Sequence, residues 1–198
     1  MKNLTREKLI QAGARAMLSK SYHSVGIQEV LSEVDVPKGS FYHYFASKED
    51  FGVAIIKYYG EQLARTIKER LTSDKLSPRQ RLKEYFLAVR EYYRKLGYGQ
   101  GCLVAKLATE VARSSPDMRI ALKGEFDKWS NLFADCIREA QQAGEISKKY
   151  NPGELAEFIY TSWEGALIRM QVNHDISSLD NFIDYVFSYI LPEEGSNS

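Results

Sequence analysis

The chain has 198 residues, 44% of them hydrophobic and 27% charged, with 27 Lys and Arg against 26 Asp and Glu for a formal net charge of +1. That length suits one or two domains with a core burying roughly 70% of the unfolded surface, and the composition is that of a globular protein rather than a disordered one. No apolar run approaches the roughly 20 residues of a membrane-spanning helix, and the opening MKNLTREKLIQAG lacks an apolar stretch of signal-peptide length, so a cytoplasmic protein without a membrane partner is expected.

Cations and anions are nearly balanced in the first fifty residues too, seven Lys and Arg against six Asp and Glu, so charge alone does not announce a nucleic-acid partner. Cys102 and Cys136 stand 34 residues apart, which excludes a disulfide scaffold and an all-cysteine metal site. No cofactor is expected.

Glycine and proline cut the chain into about nine segments whose apolar residues recur at three and four, without the alternation of a strand, and the expected class is all-α. A first helix over residues 5–18 carries Leu9, Ile10, Ala12, Gly13, Ala16 and Met17 on its apolar side. A short second helix over 27–34 buries Ile27, Val30 and Leu31. Asp35 breaks its pattern, and Pro37 supplies a backbone angle suited to a first helical turn. Ser47 with Asp50 resembles a capping box and opens a long helix to about residue 71. Ser77-Pro78, Ser115-Pro116 and Asn151-Pro152 each set an N-cap residue before a proline, starting helices of about 20, 28 and 22 residues. A shorter helix over 101–113 lies between the first two of these, a last one spans 178–191, and the tail PEEGSNS is expected to fray. The domain boundary is placed at residue 50, giving one part over 1–50 and another over 51–198, with no flexible linker between them.

A short helix, a turn of three or four residues and another short helix have the spacing of a helix-turn-helix, whose second helix enters the major groove. In the run PKGSFYHYFASKE, Phe41 and Phe45 are four apart and share a face, so both anchor the helix, while the five rings of 41–45 cannot all be buried. Lys38, Gly39, Ser40, Tyr42 and His43 then point outward. Gly39 allows close backbone approach, Ser40 suits a base or phosphate, Tyr42 and His43 suit phosphates, and Lys38 suits a guanine edge or phosphate. Gln28 on the preceding helix reaches toward a base, and Lys48 adds a cation beside the free amides of a helix start.

Residues 5 to 55 with the run KGSFYHYFASKE resemble the DNA-binding domain of the TetR family of bacterial repressors. The resemblance implies a three-helix DNA-binding domain with a helix-turn-helix, followed by a helical ligand-binding and dimerisation domain, and it carries the DNA contacts onto Gln28, Lys38, Gly39, Ser40, Tyr42, His43 and Lys48. It further implies a repressor that leaves a palindromic DNA operator when an effector acts. Asp35 stands where many members have glycine in the turn, and Asp tolerates left-handed geometry better than most residues. Pro37 replaces a frequent serine.

Three glycines at alternate positions, Gly97, Gly99 and Gly101, precede Cys102 at a helix start, where unpaired amides and the helix dipole favour a thiolate. Lys106, one turn on, is placed to add to that effect. A lone cysteine is more often an inert core residue than a reactive one. The stretch GCLVAKLATEV followed by SSPDMR resembles the electrophile- and oxidant-sensing subgroup of the family that includes the N-ethylmaleimide reductase regulator, and this implies Cys102 as the sensor. Cys136, among Leu132, Phe133, Ile137 and Ala140, reads as core. Further effector candidates are Trp129, Trp163, Glu164, Tyr92, Tyr93 and Arg169.

Two closing helices carry Phe158, Leu167 and Met170, then Phe182, Val186 and Ile190, and together they suit a two-helix face that pairs with its twin in a homodimer. An enzyme is not expected. Of His23, His43 and His174 none has a partner at helical spacing, and no phosphate loop, nucleophile elbow or paired carboxylates appear. The alternative kept open is a helical ligand-binding or scaffold protein that does not bind DNA.

Overall fold

The computed structural model describes residues 2–192, except the side chains of residues 2, 3 and 38; residues 193–198 of the tail, expected to fray, lie outside the described residues. The described residues form nine α-helices and no strand: α1 (Lys2–Ser19), α2 (Ile27–Glu33), α3 (Lys38–Phe41), α4 (Lys48–Leu71), α5 (Pro78–Lys95), α6 (Leu103–Val111), α7 (Pro116–Gln142), α8 (Pro152–Asn173) and α9 (Ser177–Tyr185), with a π-helical turn at Val186–Ile190.

The three proline starts are capped by the side chains before them. Ser77 Oγ accepts the Gln80 amide while Gln80 Oε1 accepts the Ser77 amide, Ser115 Oγ accepts the Met118 amide at 3.1 Å, and Asn151 Oδ1 accepts those of Gly153 and Glu154 at 2.8 and 3.2 Å. Each cap satisfies amides that the first turn leaves without an intrahelical partner. Ser47 behaves likewise toward the Asp50 amide at 3.0 Å, but the Asp50 carboxylate reaches back to the amide of Ala46, one residue beyond the usual box, at 2.9 Å.

Two elements depart from a regular α-helix. α3 has four helical residues, and Tyr42 to Tyr44 continue it as turns in which the His43 and Tyr44 amides donate three residues back, to the Ser40 and Phe41 carbonyls. The last helix widens after Tyr185, where the Leu191 amide donates to the Val186 carbonyl at 2.7 Å. Arg79 explains the ending: its guanidinium donates to the Phe187 and Leu191 carbonyls at 2.9 and 2.7 Å, taking up acceptors that a regular helix would leave bare.

The chain packs as two compact units, Met1–Gln62 with Cys102–Glu125, and Leu63–Gly101 with Phe126–Ser198. α4 runs unbroken past residue 50, and the unit that holds the first fifty residues also takes in α6. In the first unit α1 packs on α2 and α6, and Phe41, Phe45 and Phe51 close a ring cluster with centroids 4.7–5.4 Å apart. Gly13 lets α1 approach α4, since a Cβ there would lie 2.4 Å from Phe51 Cζ. In the second unit Phe86 is the hub, with Phe133 stacked at 5.5 Å and Trp163 and Phe182 each at 5.0 Å.

Candidate nucleic-acid interface and sensor helix

The turn between α2 and α3 is closed by backbone bonds from the Val34 and Val36 amides to the Leu31 carbonyl, with Asp35 in the left-handed region at φ 54°. That is the geometry glycine adopts most easily, and Asp accepts it because its short polar side chain clashes little. Along the 41–45 run burial splits by face. Phe41 and Phe45 are 0% and 1% exposed, whereas Tyr42 is 62% exposed and His43 is exposed beside it. Gly39 and Gln28 are exposed, Ser40 is half-buried, and a Cβ built on Gly39 would meet nothing within 4 Å. The Lys38 side chain lies outside the described residues.

Lys48 opens α4 half-buried. Its ammonium donates to the His23 carbonyl at 3.2 Å and sits 4.8 Å from the centre of the Tyr22 ring, and burial lowers its pKa below the ordinary lysine value. Burial, with the Glu49 carboxylate nearby, raises the Tyr22 phenol above its ordinary value. Glu49 also accepts a hydrogen bond from the Ser115 hydroxyl, the cap of α7.

Cys102 is buried and forms the N-cap of α6 in an extended conformation, its own carbonyl accepting the Lys106 amide at 3.0 Å. Expected beside the thiol, the Lys106 ammonium instead lies on the end of α1, donating to the carbonyls of Met17, Leu18 and Lys20 at 2.9, 3.0 and 2.8 Å. Cys136 donates to the Pro78 carbonyl at 3.3 Å, and burial pushes its thiol up to about 12. A thiol so held is protonated at neutral pH and unreactive.

Trp129 and Trp163 fill the aromatic core of the second unit, 0% and 2% exposed, against Phe126 and Tyr160 in one case and Phe86 and Phe182 in the other. Tyr93 is buried, Glu164 half-buried, and Tyr92 and Arg169 exposed.

The expected dimer face needs correction. Leu167, Met170, Phe182 and Val186 are buried within the protomer and Ile190 is half-buried; only Phe158 of that set is exposed, at 54%. The exposed apolar side chains of the same helices are Phe158, Ile168 and Val172 on α8, with Tyr185 at the end of α9 and Tyr189 in the π turn, their tilted rings 5.5 Å apart. Their helical spacing was the available signal. Also unanticipated is Glu110, whose carboxylate accepts the Tyr22 amide at 2.6 Å.

Residues 78–186 match the family model described as "Tetracyclin repressor-like, C-terminal domain", and residues 9–55 match "Bacterial regulatory proteins, tetR family". The chain belongs to the TetR family. It is 35% identical over 187 residues to the HTH-type transcriptional repressor DhaR of a Mycobacterium species, covering 94% of this chain and 92% of DhaR. It is 38% identical over 180 residues to the transcriptional regulator AcuR of Cereibacter sphaeroides, covering 91% and 82%. With the repressor NemR of Escherichia coli it shares 30% identity over 186 residues, 94% of each chain. The crystal structure of reduced NemR matches with a TM-score of 0.88 at 29% identity, over 96% of this chain and 99% of that one.

This TetR-family chain is a DNA-binding transcriptional regulator of the helix-turn-helix type, and NemR supports its resemblance to the electrophile-sensing subgroup. TetR-family repressors bind DNA operators and act as dimers. Among the described residues no helix is long and apolar enough to cross a membrane, and no group of three or more His, Cys, Asp and Glu stands where it could hold a metal ion.

Proposed function

We propose that the chain is a repressor that sits as a homodimer on a palindromic operator and is released by a small-molecule effector or by modification of Cys102 by electrophiles or oxidants. The observation that carries the DNA contacts is the split of one short run, with Phe41 and Phe45 buried beneath an exposed Tyr42 and His43. In this reading Gln28, Lys38, Gly39 and Ser40 meet base edges or the backbone, and Tyr42 and His43 meet phosphates. Lys48 has three N–H donors, one of which goes to His23, so its ammonium serves a phosphate and the fold together.

Cys102 suits the sensor role by its place, as the N-cap residue from which α6 starts. The likeness to a reduced form of NemR supports the same choice. Pairing of two protomers is assigned to Phe158, Ile168, Val172, Tyr185 and Tyr189, which are exposed and apolar. Two recognition helices about one DNA turn apart, roughly 34 Å, would then read the two halves of a palindrome.

The test is a gel shift on a duplex that the protein enriches from a random pool. Tyr42→Ala with His43→Ala should weaken binding by roughly tenfold or more, since each lost phosphate hydrogen bond is a charge-assisted one. Cys102→Ser should bind as the parent does but stay bound when N-ethylmaleimide releases the parent. Full affinity in the double variant would remove the contact assignment, and normal release in Cys102→Ser would move sensing to another group.

A further inference from the structure

Lys106 and Glu110 lie four residues apart on α6, and both reach the segment that joins α1 to α2. α1 has no basic residue in its last turn, so nothing on that helix offsets the negative end of its dipole. Lys106 supplies the missing cation from another helix. The three donors of its ammonium match the three carbonyls of Met17, Leu18 and Lys20, all within 2.8–3.0 Å. One turn on, Glu110 holds the Tyr22 amide at 2.6 Å. The Tyr22 ring in turn carries the Lys48 ammonium, which also grips the His23 carbonyl, and a Cβ at Gly52 of α4 would lie 3.1 Å from that ring. Residues 17–23 are thus held by α6 on one side and by the start of α4 on the other.

We propose that Lys106 and Glu110 are positioning residues for DNA binding: through them α6 fixes the end of α1 and the α1–α2 link, and through Tyr22 and Lys48 the start of α4 that follows the recognition helix. The proposal rests on the DNA reading above. Charge-assisted hydrogen bonds weaken steeply with distance and angle, so a shift of α6 loosens four contacts at once. Neither residue touches DNA in this reading, and their effect on affinity is indirect.

The experiment compares the full-length parent with Lys106→Met, Lys106→Arg and Glu110→Gln by fluorescence anisotropy on the pool-enriched duplex and on a scrambled one, alongside amide NMR spectra. Lys106→Met and Glu110→Gln should each weaken binding to the enriched duplex by roughly 5- to 50-fold, within the range of an ordinary coupling between sites. Low-salt binding to the scrambled duplex should stay within about twofold, because it needs only the exposed cations. Lys106→Arg should recover most of the loss, and the Tyr22 amide resonance should shift in both weakened variants. If Lys106→Met does not fold, the nearly isosteric Glu110→Gln decides alone. A parent that does not distinguish the two duplexes defeats the DNA reading itself. A parent that distinguishes them, with both variants keeping the same ratio, overturns the positioning role only.

Discussion

Replacing Gly13 by alanine sets two opposing effects against each other. Alanine in a helix interior is favoured over glycine by about 1 kcal/mol. The new Cβ, however, would lie 2.4 and 2.8 Å from Phe51 Cζ and Cε1 and 2.7 Å from Ile55 Cδ1, where carbon atoms prefer roughly 3.5–4.0 Å. Neither neighbour can step aside cheaply: Phe51 is 1% exposed and wedged against Phe41 and Phe45, and Ile55 is fully buried. Overpacking of a tight core costs about 1–3 kcal/mol, and an overlap of this size belongs at the upper end. The net loss is then about 1–2 kcal/mol, which lowers the melting temperature by roughly 2–8 °C for a chain of this length. Gly124→Ala is the control, because a Cβ there meets nothing within 4 Å, and it should gain about 0.5–1 kcal/mol. Thermal unfolding followed by circular dichroism reads both. A Gly13→Ala protein that melts at or above the parent would refute the claim that this glycine exists for close helix approach.

Arg79→Met should cost about 2–3 kcal/mol, since it leaves the buried Phe187 and Leu191 carbonyls without their charged donor. Hydrogen exchange at the Leu191 amide is the local readout, and unchanged protection there would show that the π turn does not depend on the arginine. For Cys136, burial raises the thiol from its ordinary value near 9 to about 12, so the folded chain holds its proton more tightly than the unfolded one. The sign follows from linkage: the contribution is complete below pH 9 and is lost as pH rises toward 12, with a slope of up to about 1.4 kcal/mol per pH unit. Denaturant midpoints of the parent and of Cys136→Ala, compared from pH 7 to 10, should converge above pH 9; a gap independent of pH would contradict the assignment.

Features that depend on near neighbours in the chain were legible. A serine or asparagine before proline needs only its own next three residues to act as a cap, and all three such starts are capped by their side chains. The aromatic run was legible for the same reason: four-residue spacing puts Phe41 and Phe45 on one side, and burial follows that face. What escaped was set by partners far away in sequence. Lys106 finds its carbonyls 86 to 89 residues away, Glu110 finds Tyr22 at a separation of 88, and Arg79 meets the last turn across more than 100. From sequence, Lys106 had only its helical neighbour Cys102 to be paired with. The folded chain offered it three bare carbonyls and the negative end of a helix, a stronger site for an ammonium.

The same distinction accounts for the misplaced pairing face. Successive residues on a helix turn by about 100°, so Phe158 and Leu167 lie about 180° apart and cannot serve one surface, whereas Phe158, Ile168 and Val172 fall within about 80° of each other. Counted this way α8 carries two apolar faces. One holds Ile159, Trp163, Leu167 and Met170 in the protomer core; the other leaves Phe158, Ile168 and Val172 exposed, the last at 71%. Hydrophobic spacing reports that a helix face is buried somewhere but not against which partner, and in a helix with two such faces the larger side chains draw attention to the wrong one. A chain that needed only its own core would have no use for the second face, and Tyr185 and Tyr189 extend that apolar exposure to the end of the next helix. In the proposed homodimer a twin protomer would remove it from water on both copies at once, since a two-fold interface gains from every apolar residue twice.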